Sequence, residues 1–203
     1  MKKKVPVYLL IVAILLLAIS LYKNYSYSSE KEHLRNNMLS TSLYTLQDIS
    51  RHLDELLTGI EEATMPYEKC EDKLILLSNY FGELHFSLTT YATYFPPTGV
   101  TRNCYSGHIS FDFISHTLVG GWGEINYNRY NGIMFDNTIS DKEVQYLIAL
   151  KESVDNMIEA VTTKDNQYQL AEISPSYLDK VILEFTDKYY IAYDDSPLKL
   201  LFE

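Results

Sequence analysis

Hydrophobic residues fill the chain from Val5 to Tyr22 without a single charge, and from Leu39 onward they recur at intervals of three and four. The first pattern is that of a membrane span. At about 1.5 Å per helical residue, residues 5–22 reach ~27 Å, close to a hydrocarbon layer of ~30 Å. Tyr8, Tyr22 and Lys23 suit the two interfaces, and Pro6 falls in a first turn, where a missing N–H costs little. Lys2, Lys3 and Lys4 precede the span and Lys23 alone follows it, which orients the N-terminus towards the cytoplasm. The expectation is therefore a transmembrane signal anchor over 1–22, with membrane lipid as the partner of residues 5–22 and the remainder extracytoplasmic. The alternative is secretion after signal cleavage. Ala18 and Ser20 fit a small-x-small site, but the apolar run exceeds the ~7–15 residues of an ordinary signal core.

Residues 23–29 are rich in Ser and Tyr and lack apolar periodicity, so they read as a stalk. Ser29 with Glu32 has the form of a capping box opening a helix over about 30–63. Its seam is Leu39, Leu43, Leu46, Leu53, Leu57 and Ile60, with Ser50 in the gap. Ile49 and Leu56 widen the stripe beyond a two-stranded coil. Met65-Pro66 breaks the helix. Next comes the most regular pattern in the chain, Cys70, Leu74, Leu77, Phe81, Leu84, Leu88, Tyr91 and Phe95, closed by Pro96-Pro97. Such a seam calls for an antiparallel helical partner. A third helix opens on Ser140 with Glu143, carries Val144, Leu147, Ile148, Val154, Ile158 and Val161, and ends near Lys164. The fourth opens on Ser174-Pro175 and carries Leu178, Val181, Ile182, Phe185, Tyr189 and Ala192, with Asp194 to Pro197 stopping it. Leu198, Leu200, Leu201 and Phe202 are too apolar for a frayed tail and should dock on the body.

Between the second and third of these helices, 98–138 holds six of the eight glycines. Ile109 to Phe113 alternates apolar and polar residues in strand fashion, and Thr117 to Val119 has β character, so a small hairpin or an irregular cap is expected there. The predicted fold class is mainly α: an N-terminal transmembrane helix plus an extracytoplasmic four-helix-bundle-like domain over 30–203, with 98–138 as a long irregular or short-β insertion.

A net charge of −10 argues against a phosphate-neutralising surface, so nucleic acid is not expected as a partner. Cys70 and Cys104 look like a disulfide pair in an oxidising compartment, but an unbroken second helix carries Phe95 ~37 Å from Cys70, and nine extended residues return at most ~31 Å. Two free thiols are the expectation. Phosphate-loop, nucleophile-elbow, dinucleotide and His-Glu-x-x-His patterns do not occur, and no cofactor or catalytic residue is assigned. His108, Asp112 and His116 recur every four residues, but in a context read as strand or loop they suit solvated positions better than a metal site. The eighteen tyrosines are read mostly as composition and packing. Tyr105, Trp122, Tyr127 and Tyr130 form the exception, a glycine-flanked aromatic cluster suited either to a binding patch or to a lid over the end of the helices. The function this supports is a non-enzymatic, membrane-anchored module that binds another envelope or cell-surface component. A sensor-like ectodomain, capturing a small ligand and signalling through a separate partner, is the alternative, and an envelope hydrolase a minor third.

Overall fold

The computed structural model describes residues 4–95, 105–125, 128–162, 173–187, 197 and 201. It separates into two compact units, Met1–Asn37 and Met38–Glu203. Five helices and a hairpin follow in the order α1 (Lys4–Glu61), α2 (Tyr67–Tyr94), α3 (Tyr105–Val119), β1 (Trp122–Ile125), β2 (Asn128–Tyr130), α4 (Asp141–Val161) and α5 (Pro175–Asp187). The chain is mainly helical.

In the first unit the apolar side chains from Tyr8 to Tyr22 are exposed throughout. Among the described residues α1 is the one helix long and apolar enough to cross a membrane by length and composition. Helix continues through 23–29, so the Ser29 and Glu32 pattern does not start it; Ser26 instead donates to Glu30 at 3.3 Å within the helix.

The second unit is held by one apolar core. From α1 it takes Leu39, Leu43, Leu46, Ile49, Leu53 and Leu56, the widened stripe expected of a helix with more than one neighbour. All eight seam positions of the Cys70 to Phe95 pattern are buried. His52 stacks on Tyr80 and Glu55 pairs with Lys73, so α1 and α2 run antiparallel. α1 also runs antiparallel to α4, tied by Ser50 donating to Asp155 and by Lys151 bridging Asp155 at 2.7 Å and Asp54 at 3.6 Å. The gap that Ser50 leaves in the seam thus carries a polar tie.

The stretch expected to be irregular supplies the fifth helix. Ile109 to Phe113 is helix, not strand, and Thr117 to Val119 is the last turn of α3. Phe111, Ile114 and Leu118 fall three and four apart and are completely buried, a helical stripe that outweighs the short alternation read locally. Phe111 stacks on Phe81 of α2, at 6.4 Å, and on Phe185 of α5, at 5.1 Å. α2 and α3 approach closely where Ser78 Oγ donates to the Ser115 carbonyl at 3.1 Å and Ser115 Oγ to that of Ser78 at 2.9 Å. The body is accordingly not built from four helices alone. A hairpin does occur, just beyond its expected place, with Trp122 opposite Tyr130 and Ile125 opposite Asn128.

The other predicted helices stand with shifted details. Ser140 and Glu143 form a complete capping box, but α4 ends at Val161, short of Lys164. Ile148 is exposed, whereas Tyr146, Leu150 and Met157 join the core, because the buried face of α4 turns about one residue from the expected stripe. Ser174 Oγ accepts from Tyr177 N at 3.1 Å as a cap, and Leu178, Val181, Ile182 and Phe185 are buried. Tyr189, Ala192 and 194–196 lie outside the described residues. Of the apolar tail, Leu201 packs against the core; Leu198, Leu200 and Phe202 are also outside them. Gly82 sits inside α2, where an added Cβ would meet nothing within 4 Å, so no internal contact offsets the ~1 kcal/mol that a mid-helix glycine costs.

Two backbone positions make specific demands. Ala63, just past α1, has φ of +50°, a left-handed conformation that alanine adopts at a cost of roughly 1 kcal/mol. Gly121, at φ +63°, ends α3 where its N–H reaches the His116 carbonyl at 2.6 Å, and a Cβ there would lie 2.1 Å from the Tyr130 carbonyl oxygen. Ala63→Gly should therefore raise the melting temperature of the detergent-solubilised protein by about 2–4 °C. Gly121→Ala should destabilise it by at least ~2 kcal/mol in urea unfolding.

Candidate functional site

Of the four aromatics singled out in the sequence, three fall on described elements. Tyr105 is the first residue of α3, and Trp122 and Tyr130 are partners across the hairpin; Tyr127 lies outside the described residues. Tyr130 is half-buried against the core, and its hydroxyl donates to Glu143 Oε1 at 3.0 Å. Glu143 Oε2 in turn accepts from the backbone N–H of Ser140 at 2.8 Å and from its hydroxyl at 2.9 Å. Tyr130 is thus a fastener between the hairpin and the start of α4. Burial, together with the Glu143 charge, pushes its hydroxyl far above the ordinary tyrosine range, so it stays protonated and donating. Near this end Tyr67 donates to the Met134 carbonyl at 3.3 Å, and Ile133 N–H to that of Thr117 at 3.0 Å. These bonds tie Tyr130 and its neighbours to the ends of α2, α3 and α4.

Among the described residues, the largest concentration of charged side chains lies elsewhere, on α1 and α2. Arg51 reaches Asp48 at 2.8 Å and Glu55 at 3.4 Å, and Lys73 pairs with Glu55. His52, buried and stacked on Tyr80, presents Nδ1 to Glu55 at 3.1 Å and Nε2 to Arg51 at 3.2 Å. Arginine can only donate, so Nε2 accepts and Nδ1 carries the ring proton; Lys73 Nζ, another donor, lies 2.9 Å from that same Nδ1, and Glu55 is the acceptor that both face. Lys73 and His52 on the two helices converge on the Glu55 carboxylate, so the cluster acts as a clamp between α1 and α2. The Asp48, Arg51, Glu55 spacing was visible in the sequence; Lys73 joins only through the antiparallel register.

His116 and Asp112 come within 3.7 Å one turn apart on α3, both more than half exposed. Among the described residues no three His, Cys, Asp or Glu side chains converge as metal ligands. Cys70 is a free, buried thiol, and burial pushes its pKa up; Cys104 is outside the described residues. A groove of ≈ 410 Å³ lies between α4 and α5, lined by buried Met157, Val181 and Phe185 and by exposed Asn156, Ala160 and Glu184. Comparison with known protein families, with curated proteins and with solved structures finds no match for this chain.

Hydrogen bonds from Lys73 and then His52 hold the Glu55 carboxyl down at about 2. A lowered carboxyl pKa stabilises the folded state above the unfolded value near 4.5, and that contribution disappears as pH falls towards 2. Glu55→Gln should lower stability at pH 7 by less than ~1 kcal/mol, because the pair is partly solvated, and should flatten the stability loss between those pH values in a urea titration series. Tyr130→Phe removes a bond to a carboxylate and should cost about 1–2 kcal/mol. Hydrogen exchange of the 128–143 backbone should speed up selectively.

Proposed function

We propose that the protein is a membrane-anchored, extracytoplasmic interaction module: residues 5–22 hold it in a bilayer with its N-terminus cytoplasmic, and the helical body binds another envelope or cell-surface component. The observation that carries this reading is the exposed apolar surface of α1. Its side chains from Tyr8 to Tyr22 find no internal burial, and a contiguous apolar surface of that size is stable against lipid rather than water. Tyr8 and Tyr22 are exposed at its two ends, as interfacial anchors are. Lys2 to Lys4 support the inward N-terminus, and an acidic body is kept off anionic head groups.

The second reading, a sensor-like ectodomain signalling through a separate partner, draws its support from the groove between α4 and α5, whose ≈ 410 Å³ falls in the size range of small-ligand sites. An Asn156→Trp variant, at an exposed position of the lining, would obstruct that groove and should leave partner binding intact if the interaction reading holds.

Topology is tested with protease on sealed, right-side-out vesicles. The body should be digested from outside while the first residues stay protected. Digestion only after lysis would overturn the proposal, and a mature N-terminus near Leu21 would replace the anchor by secretion.

A further inference from the structure

We propose that the outward face of α2 is the docking surface of that module, and that its occupant is a cationic amphipathic helix of a partner protein; this rests on the interaction reading above. Glu68, Asp72, Ile75, Asn79, Gly82, Phe86, Thr90 and Thr93 follow one another at spacings of four and three. They form a second stripe on α2, opposite the buried Cys70 to Phe95 seam, and a spacing averaging near 3.5 residues is what keeps a seam facing a neighbouring helix along its length. No element of the described body covers it. Phe86 is 72% exposed, the most exposed large apolar side chain among the described residues of the second unit, and Ile75 is 40% exposed.

Gly82 stands between those two. A glycine weakens a helix interior, and here nothing inside the protein requires it, since a Cβ would project into open space. A bare backbone at the centre of a stripe lets a second helix approach closely, with Phe86 one turn away to seat against it. Thr90 and Thr93 donate their hydroxyls to carbonyls of their own helix, at 2.8 and 2.9 Å, so they add no unmet polar demand to the face. Charge selects the occupant. Glu68, Asp72 and the flanking Glu83 enter none of the ion pairs found among the described residues, whereas Lys73 and Glu55 are matched within their clamp. A surface with unpaired carboxylates around an apolar centre is complementary to lysine or arginine flanking an apolar seam, and it repels a second copy of this acidic chain.

The test places the photoreactive residue p-benzoyl-phenylalanine at position 86 of the full-length protein in its native membrane, with position 148 on α4, also exposed, as the comparison. The expected result is an adduct at 86 whose crosslinked peptide is amphipathic and net positive. Its yield should fall about tenfold with Asp72→Lys plus Glu83→Lys, and likewise with Gly82→Leu. The melting temperature of the Gly82→Leu protein should not fall, which separates loss of docking from loss of fold. An adduct with a second copy of the chain, an adduct indifferent to both variants, or a lowered melting temperature for Gly82→Leu would overturn the proposal. Capture of a partner at 148 but not at 86 would remove this surface and leave the interaction reading standing; capture at neither would remove both.

Discussion

Phe111 stacks on two other aromatic rings and has no access to water, so three helices meet at one side chain. Its ring is held by Phe81 from α2 and Phe185 from α5, while Ile114 and Leu118 continue the same face of α3 into the core. Close packing of this kind fixes the spacing of its neighbours, because a protein interior has little free volume to absorb a shift. The reciprocal serine bonds between Ser78 and Ser115 set the α2 to α3 distance a turn away. With α3 in place, the hairpin that follows Gly121 is brought back against α4 through Tyr130.

Polar residues in the body mark where helices meet. The Glu55 cluster staples α1 to α2, and the Ser50, Asp155, Lys151 and Asp54 group staples α1 to α4. Both groups sit at the rim of the core, partly solvated, where ion pairs add little energy but discriminate between registers. A slip of one turn would leave Lys73 without Glu55 and Ser50 without Asp155. Apolar burial therefore supplies the cohesion of α1, and these pairs choose among the ways it could pack.

Long periodic segments were legible from residues alone. The α2 seam from Cys70 to Phe95 is buried without exception, and the capping box at Ser140 and the serine cap at 174 both form. α3 was misread because five residues, Ile109 to Phe113, satisfy a strand alternation as well as a helical one, and the deciding partners Phe81 and Phe185 are remote in sequence. The face of α4 was misjudged for a related reason: Tyr146 and Met157 are buried by neighbours, whereas Ile148 is left outside. Of the aromatic cluster, the composition revealed the residues but not that Tyr130 would be engaged by Glu143. The clamp around His52 needed the pairing of two helices, which spacing along either one does not contain.

Cys70 lies at the N-terminal end of the α2 seam, shut from solvent with its thiol held in the neutral form. A neutral, enclosed sulfur is a poor nucleophile, and it gains reactivity only when the first turns of α2 lift away from the core. The rate at which alkylating reagents modify it therefore measures how often that end of the helix opens, a clock for local unfolding that the native chain already carries.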